Sequence, residues 1–340
     1  MTPIDLLVVG AGPAGLCAGW HGQQLGWHTV VIEASDHPGG AWAAMPETTR
    51  CLSPRRFDRL PDGTIPPGVT DRAFAGEVAS GLAEFAKNLE DLQFGVRATG
   101  LRSGRPLTVE TTDGPRVANR VIVATGEYSR PKTPALAGRF DGVTLHSSEL
   151  HRSAVAARGH VVVIGAGNSG AEVALTLATR GVSVTVSGGL GMRDPGPAPS
   201  RFREQVQWVL SATPITGLPL NGGCREQTPL VDRDLYLAVR RGKIRVVDRA
   251  IALDRAGVRI RGGELIRCDT VVFATGFRRA TAWLSPSVTC SPTGHPVAVN
   301  GLSPEVHGLG FVGIPCMRTR RSGFLRGFSD DAQAVVGALR

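Results

Sequence analysis

The sequence predicts an α/β protein built from two copies of one strand–helix–strand unit, and three observations lead to this prediction. An apolar run at residues 6–9 leads into the glycine-rich stretch 10–15, and a second apolar run at residues 161–164 leads into the stretch 165–170. Both stretches have the spacing GxGxxG, and a helix-compatible segment and a second apolar strand follow each of them. The 340 residues are also enough for about two domains.

The two copies continue in parallel along the chain. Each is completed by the tripeptide Ala-Thr-Gly, at residues 124–126 and 274–276, at a similar distance from its glycine stretch and after a hairpin-like segment. This repeated order favours two doubly wound units over a chance match to one motif. The predicted helices lie at 16–25 and 171–180, the second strands at 29–32 and 183–186, and the hairpins at 107–112 with 116–121 and at 257–260 with 264–270.

The glycines of each stretch have separate physical roles. The first permits the tight turn after the strand, the second lets the backbone approach a diphosphate, and the third allows the helix to pack closely on the strand. The diphosphate then lies at the helix N-terminus, where unpaired N–H groups and the helix dipole favour negative charge. One GxGxxG is a weak signal, whereas two in matching context predict two Rossmann-like dinucleotide-binding domains.

The two units differ where the adenine ribose of a dinucleotide would lie. In the first unit the second strand ends at Glu33, whose carboxylate can accept hydrogen bonds from ribose hydroxyls. In the second unit the equivalent residue is Ser187, and Arg193 follows a few residues further on. Because a carboxylate repels a 2′-phosphate and a guanidinium binds one, we infer FAD or NAD in the first unit and NADP in the second. Arg193 is equally compatible with an exposed surface loop.

Composition excludes several other classes of protein. Hydrophobic residues make up 42% of the chain, so a disordered protein is excluded although Gly (44) and Pro (23) are frequent. No apolar stretch approaches the ~18 residues of a membrane-spanning helix, and the apolar start contains Asp5 and no basic leader, so we expect neither a membrane partner nor a signal peptide. The six cysteines show no CxxC pair and no metal-ligand spacing, which predicts a reduced, cytoplasmic protein without a metal site.

The net charge of +9 raises the question of a nucleic-acid partner. Lysine occurs only at Lys87, Lys132 and Lys243, and the arginines are spread along the chain without a continuous basic block. This distribution favours a solvated or small-anion-binding surface over a nucleic-acid-binding one, so we expect no nucleic-acid partner. The sequence gives no indication of the oligomeric state.

Several motifs resemble those of the flavin-containing monooxygenases, which are flavoproteins with two dinucleotide-binding domains. The acid and GG-x-W of residues 33–42, the Arg-Pro after the first ATG and the FxGxxxH pattern of residues 140–146 all match that family. The resemblance runs from residue 5 to about residue 335. The segments that resemble the plant YUCCA-type members and their bacterial relatives are Thr228-Pro229, the second ATG with Phe277, and residues 310–313 and 330–332.

Two positions depart from the family pattern. Leu150 stands where the signature usually continues with an aromatic residue, which argues against a Baeyer–Villiger enzyme. Leu52 stands where amine- and sulfide-oxidising members carry an asparagine near the reactive face of the flavin. The class of substrate therefore stays open.

The resemblance implies a glutathione-reductase-like FAD/NAD(P) architecture. An FAD-binding domain would comprise residues 1–152 and 281–340, with an NADPH-binding domain at residues 153–280 inserted between its halves. The resemblance also implies that NADPH delivers hydride to the flavin, that the reduced flavin forms a C4a-(hydro)peroxide with O2, and that a small organic substrate takes one oxygen atom. The cofactor then supplies the chemistry, while the protein orients it and excludes water.

These motifs name the candidate site residues. Arg55 is a weak catalytic candidate that either holds an anion or is solvated, His146 either orders the NADP or packs at a domain junction, and Trp42 either covers the flavin or is a core aromatic residue. The residues expected to contact FAD are Gly10, Gly12, Pro13, Ala14, Gly15, Glu33, Gly40, Trp42, Ala98, Ala124, Thr125 and Gly126. Those expected to contact NADPH are Gly165, Gly167, Asn168, Ser169, Gly170, Ser187, Arg193, Ala274, Thr275 and Gly276.

Two other functions stay open at this point. An NADPH-dependent flavin reductase or oxidase of the same architecture would share every motif. A basic nucleic-acid-binding protein is much less favoured, because it has no need of two dinucleotide sites. A disulfide reductase needs two exchanging cysteines beside the flavin, whereas residues 39–42 contain none and Cys51 has no cysteine near it in sequence.

Overall fold

The computed structural model describes residues 4–46, 49–150, 159–188, 200–211 and 233–340. The α-helices are α1 (Pro13–Gln24), α2 (Ala41–Ala44), α3 (Ala75–Ala86), α4 (Asn168–Thr179), α5 (Arg201–Ser211), α6 (Arg233–Arg240) and α7 (Leu325–Ala338), and the 3-10 turns are Arg55–Phe57, Ser147–Glu149 and Ala282–Leu284. The strands are β1 (Ile4–Val9), β2 (Thr29–Ile32), β3 (Leu92–Gln93), β4 (Ala98–Arg102), β5 (Leu107–Thr111), β6 (Arg116–Val123), β7 (Arg130–Pro131), β8 (Val143–His146), β9 (His160–Ile164), β10 (Ser183–Ser187), β11 (Ile244–Val247), β12 (Ala250–Asp254), β13 (Gly257–Ile260), β14 (Leu265–Arg267), β15 (Thr270–Phe273), β16 (Phe277–Arg278) and β17 (Leu309–Phe311).

The chain divides into two compact units. Unit 1 comprises residues 1–130, 202–226 and 278–340, and unit 2 comprises residues 131–201 and 227–277. The short strands β7 and β16 pair with each other. Which cofactor each segment binds, and hence the expected boundaries of the FAD and NADPH domains, stays a prediction.

Unit 1 is built on a seven-stranded sheet in the order β3-β2-β1-β6-β5-β4, with β17 also paired to β6. The strands β1, β2, β6 and β17 are parallel, so their carboxyl ends meet at one edge of the sheet. Alternate residues of β1 face opposite sides, as a pleated strand requires. Leu6 and Val8 pack with α1, α3 and α7, whereas Leu7 and Val9 pack with β5 and the segment after residue 284.

Unit 2 repeats the plan with a five-stranded parallel sheet in the order β11-β10-β9-β15-β8. One face packs on α4 and α6, and the other on the antiparallel sheet β12-β13-β14. The two doubly wound sheets confirm the predicted α/β fold class. The predicted segment 264–270 is wrong at its end, because Thr270 begins β15, which pairs in parallel with β9, whereas β14 ends at Arg267.

Within the ranges described above, every helix falls short of the length and apolarity needed to cross a bilayer. The same ranges contain no group of three or more His, Cys, Asp or Glu side chains arranged to hold a metal ion.

Candidate functional site

The glycine turn of unit 1 is packed so closely that two of its three glycines leave no room for a side chain. A Cβ on Gly10, whose φ is +108°, would lie 2.6 Å from the carbonyl oxygen of Ala124, and a Cβ on Gly15 would lie 1.8 Å from that of Gly10. The Cβ of Gly12, in contrast, would meet nothing closer than the Cα of Gly40, at 3.9 Å. The middle glycine therefore borders open space, as expected where a ligand approaches the backbone.

Unit 2 reproduces this geometry. A Cβ on Gly165 would lie 2.2 Å from the carbonyl oxygen of Ala274, and a Cβ on Gly170 would lie 2.0 Å from that of Gly165. A Cβ on Gly167 would have no atom within 4 Å. In both turns the first and third glycines have no room for a side chain, and the middle glycine borders open space. This repeated geometry fits one bound dinucleotide at each turn.

The helices that follow the turns begin without a competing anion. Pro13 stands in the first turn of α1 after Gly12, and α4 begins at Asn168 after Gly167. Neither helix has a side-chain cap or an acidic residue in its first turn. The N–H groups of Ala14 and Gly15, and those of Asn168, Ser169 and Gly170, are thus available to a diphosphate, which the helix dipoles favour.

Glu33 is held at the carboxyl end of β2 in unit 1. Its Oε2 accepts a hydrogen bond from the backbone N–H of Ala11 at 2.7 Å, and its Oε1 accepts from the N–H of Ser35 at 2.9 Å and from the Ser35 hydroxyl at 3.0 Å. The backbone carbonyl of Glu33 accepts from the N–H of Val96, two residues before Ala98 at the start of β4. A carboxylate oxygen has capacity for further donors, so Glu33 can accept from ribose hydroxyls in this fixed orientation.

The loop at residues 39–42 lies against the first glycine turn. The N–H of Gly39 donates to the carbonyl of Ala11 at 2.9 Å, and a Cβ on Gly40, whose φ is +55°, would lie 3.0 Å from the Cα of Gly12. Trp42 in α2 is half-buried and packs against the core on the α1 side of the sheet. Trp42 thus contacts the core, as a core aromatic residue would, and part of its surface stays exposed, as it would in a residue that covers the flavin.

The two ATG tripeptides end the strands next to the glycine turns. The N–H of Ala124 donates to the carbonyl of Val9 at 2.9 Å, and that of Ala274 donates to the carbonyl of Ile164 at 2.8 Å. Thr125 and Thr275 follow these residues, and Gly126 and Gly276 both have positive φ with open space where a Cβ would project. Both tripeptides therefore border the same edge of their sheet as the glycine turn.

Gly313 also borders the glycine turn of unit 1, although we did not predict it as a site residue. The N–H of Val312 donates to the carbonyl of Val123 at 3.1 Å, and a Cβ on Gly313, whose φ is +74°, would lie 2.7 Å from the Cβ of Ala14. The signal in the sequence is the family-like segment at residues 310–313, which ends at Gly313 and is too short to indicate a cofactor contact by itself.

Ser187 has its hydroxyl fully used inside unit 2. Its Oγ donates to the carbonyl of Asp248 at 2.9 Å and accepts from the N–H of Ala250 at 2.7 Å, and only 2% of the residue is exposed. A serine hydroxyl has one proton to donate, so Ser187 has none left for a 2′-phosphate. Arg193, the other expected 2′-phosphate contact, lies outside the described residues, as does the Thr228-Pro229 segment.

His146 is a packing residue within unit 2. It is 4% exposed, its Nε2 lies 3.1 Å from the carbonyl oxygen of Gly276, and its Nδ1 accepts from the N–H of Ser148 at 3.2 Å. Because a carbonyl only accepts, Nε2 carries a proton, whereas Nδ1 accepts and carries none, so the ring is neutral. Burial lowers the pKa of His146 below its usual value, which favours this neutral form. The ring also meets Phe277 edge to face at 4.8 Å. His146 thus holds the turn at Gly276, the last residue of the second ATG tripeptide, in place.

Arg55 is committed to its own loop in unit 1. The guanidinium donates to the carbonyls of Pro66, Pro67 and Thr70, to the Thr70 hydroxyl and to Glu77 Oε2, the last at 2.9 Å. These bonds use all five N–H donors of the side chain. The structure therefore does not favour the role of anion ligand that was considered for Arg55.

The cysteines bear on the disulfide reductase alternative. Cys17, Cys51, Cys268 and Cys290 are free, and Cys316 is disulfide-bonded, so the expectation of fully reduced cysteines does not hold at Cys316. Burial raises the pKa of Cys51 to about 12. A thiol that stays protonated and buried is a poor nucleophile for disulfide exchange.

Comparison with known families identifies both nucleotide-binding segments. Residues 8–67 match the NAD(P)-binding Rossmann-like domain, and residues 97–201 match the pyridine nucleotide-disulphide oxidoreductase family. The chain is 24% identical to an uncharacterized CzcO-like oxidoreductase of Geobacillus kaustophilus, over 99% of this chain and 98% of that protein. It is 29% identical to indole-3-pyruvate monooxygenase YUCCA1 of Oryza sativa subsp. japonica, over 82% of this chain and 78% of that protein.

A solved flavin-containing monooxygenase from Stenotrophomonas maltophilia superposes with a TM-score of 0.79 at 26% identity, over 100% of this chain and 98% of that one. The fold and the sites define a flavin-dependent oxidoreductase with two dinucleotide-binding domains. The resemblance to the flavin-containing monooxygenases is confirmed, and so is the expectation that an enzyme of this class uses FAD and NADPH. At this coarse level the comparisons support a flavoprotein monooxygenase.

Proposed function

We propose that the protein is an FAD- and NADPH-dependent monooxygenase that inserts one oxygen atom from O2 into a small organic substrate. The observation that carries the proposal is the pair of matching glycine cradles, each with one open glycine and an uncapped helix, in a chain related to monooxygenases. When bound, FAD would accept hydride from NADPH and activate O2. The chain's own groups bind and orient the two dinucleotides and exclude water.

Unit 1 is the proposed FAD site. Glu33, fixed by Ala11 and Ser35, would accept from the adenosine ribose, and the α1 N-terminus would hold the diphosphate. Gly126, whose Cβ would meet no atom within 4 Å, leaves the sheet edge beside it open to the remainder of the cofactor.

Unit 2 is the proposed NADPH site, and the Ser187 hydroxyl takes no part in its proposed preference for NADPH. Ser187 fills the position of Glu33 without a carboxylate, so the repulsion of a 2′-phosphate is absent there. Since the Ser187 hydroxyl is already used, the attraction has to come from a cation such as Arg193.

The decisive experiment supplies NADPH, a panel of small substrates and ¹⁸O2 to the yellow holoenzyme and measures ¹⁸O in the product by mass spectrometry. One labelled oxygen atom for each product molecule supports the proposal. If NADPH is consumed and all the oxygen appears as hydrogen peroxide with every substrate, the flavin reductase or oxidase alternative is correct. The Gly12→Ala variant, which should fold and yet lose FAD, serves as the control for oxidation that does not depend on the flavin.

Anaerobic reduction of the flavin by NADPH and by NADH tests the second dinucleotide. We expect NADPH to reduce the flavin at least tenfold faster, and equal rates would contradict the assignment of unit 2. The cytoplasmic location and the absence of a nucleic-acid partner stay predictions.

A further inference from the structure

Asp58 is a buried carboxyl group that neither the fold nor the proposed binding site uses. It is fully buried within unit 1, and the hydroxyl of Ser53 donates to its Oδ1 at 2.5 Å. Its Oδ2 has no hydrogen-bond partner among the residues that the structure describes. An orphaned carboxylate oxygen in the interior is costly, which calls for an explanation in terms of function.

One of the positive charges that act on this carboxyl belongs to the beginning of α7. Arg326 stands in the first turn of that helix, its charge faces Asp58, and its Nε is buried without a hydrogen-bond partner in the described chain. A cation at a helix N-terminus opposes the helix dipole, and α7 has neither a side-chain cap nor an acid in its first turn. Arg326 and the α7 N-terminus together therefore concentrate positive charge near the buried Asp58 carboxyl.

Several other groups surround this pair. The charges of Arg55 and Arg72 also act on Asp58, and those of Arg321 and Arg72 act on Arg326. The Cys51 thiol experiences the charges of Asp58, Arg55, Arg72 and Glu77. Burial raises the pKa of Asp58 to about 7 in spite of these cations. Cys51 stays neutral near pH 7, so Asp58 is the member of the group that exchanges a proton there.

The group lies in the same buried layer as the first glycine turn. Cys51 and Leu60, on either side of Asp58 in the sequence, and Leu325, the first residue of α7, share one hydrophobic cluster with Ala11 and Ala14. A ligand cannot touch Asp58, because the side chain has no accessible surface. Any effect on a cofactor in unit 1 must therefore act through charge, which carries further in an apolar interior than in water.

We propose that Asp58 is a positioning residue that takes up one proton when FAD bound in unit 1 is reduced, and that Arg326 transmits this change of charge to the cofactor. The proposal rests on the proposed function. With Asp58 ionised, the charge of Arg326 is offset; with Asp58 protonated, the full positive charge of Arg326 and α7 faces the site. Added negative charge on the cofactor favours the second state.

NADPH gives a hydride, which carries two electrons and one proton, to the flavin and leaves as NADP+. A proton from solvent bonds to the Asp58 carboxylate, so the negative charge that arrives with the hydride is compensated inside the protein. Reoxidation by O2 returns this proton to solvent.

The experiment compares the midpoint potential of the bound flavin in wild-type protein and in Asp58→Asn between pH 5 and pH 9. Asparagine imitates an aspartic acid that is neutral at every pH. The flavin's own protonation changes the potential of both proteins equally, so it cancels in the difference between their potentials. At pH 5 we expect the two proteins to have equal potentials. At pH 9 we expect the potential of Asp58→Asn to be higher than that of wild type by at least about 30 mV, which corresponds to a tenfold change in the two-electron reduction equilibrium. The difference should shrink in an Arg326→Gln background.

Asp330→Asn is the matched control, because it removes a carboxylate from the same helix on its exposed side. At both pH values, Asp330→Asn should change the equilibrium constant for flavin reduction, calculated from the potential, by less than twofold. A constant difference between wild type and Asp58→Asn at all pH values overturns the proposal, and so does an equal effect of Asp330→Asn.

An infrared difference spectrum of the wild-type protein tests the same proposal if Asp58→Asn does not fold. Reduction should produce the carbonyl band of a protonated carboxylic acid, shifted in D2O, and the absence of such a band overturns the proposal. A yellow protein that NADPH reduces but that shows neither effect leaves the proposed function intact and removes only the role of Asp58.

Discussion

The buried carboxyl of Asp58 makes the stability of the protein depend on pH in an unusual direction. Burial raises its pKa from 3.8 to about 7 in the folded protein. A group with a raised folded-state pKa stabilises the fold below its unfolded pKa, and this contribution is lost as the pH rises through the folded pKa. At about 1.4 kcal/mol for each pH unit, the loss between pH 4 and pH 7 amounts to about 4 kcal/mol.

The Asp58→Asn variant removes this titration. The free energy of unfolding of wild type, minus that of Asp58→Asn, should therefore fall by about 4 kcal/mol between pH 4 and pH 8. Urea unfolding followed by far-ultraviolet circular dichroism, with FAD at the same concentration in all samples, measures this difference. Ser53→Ala should move the titration to higher pH, because it removes the one hydrogen bond to the carboxylate. A difference that is constant within 1 kcal/mol, or that rises with pH, would refute the reasoning.

Three further substitutions test the candidate sites. Gly15→Ala should abolish folding of unit 1, because its Cβ would lie 1.8 Å from the carbonyl oxygen of Gly10. Gly12→Ala should melt within a few degrees of wild type and yet lose FAD, because its Cβ position is open. Equal effects of the two variants on the melting temperature and on the flavin content would contradict this contrast. Glu33→Gln should weaken FAD binding by roughly 10- to 100-fold, from charge-assisted hydrogen bonds of about 1.5–3 kcal/mol, and a fluorescence titration that finds less than a twofold change would remove Glu33 from the site. His146→Phe should raise the KM for NADPH and leave the flavin content unchanged, because His146 fixes the turn at Gly276 in unit 2; loss of flavin instead would show that this interpretation is wrong.

The glycine turns were predictable because their requirements are local. A tight turn after a strand and close helix packing need particular glycines at fixed spacing, and residues 10–15 and 165–170 show that spacing in the sequence itself. The structure confirms both sheets and differs mainly at element ends, such as Thr270, which the parallel pairing with β9 draws into β15.

The roles of individual polar side chains were less predictable, because they depend on partners distant in sequence. Arg55 is used by residues 66–77, and Ser187 by Asp248 and Ala250. Nothing in the run CLSPRRFDRLP separates Asp58, which is fully buried, from Arg59, which is exposed. Such roles appear only once the loop has been packed against the core.

The most direct test of the central claim is to mix the NADPH-reduced holoenzyme with O2 in a stopped-flow spectrophotometer without substrate. Oxygen transfer requires that activated oxygen be held on the enzyme until a substrate arrives. If the protein transfers oxygen, we expect a transient species whose absorbance differs from that of both reduced and oxidised flavin and which decays slowly when no substrate is present. Reoxidation in one step, with hydrogen peroxide released at the same rate, would contradict it and identify the protein as a flavin reductase or oxidase.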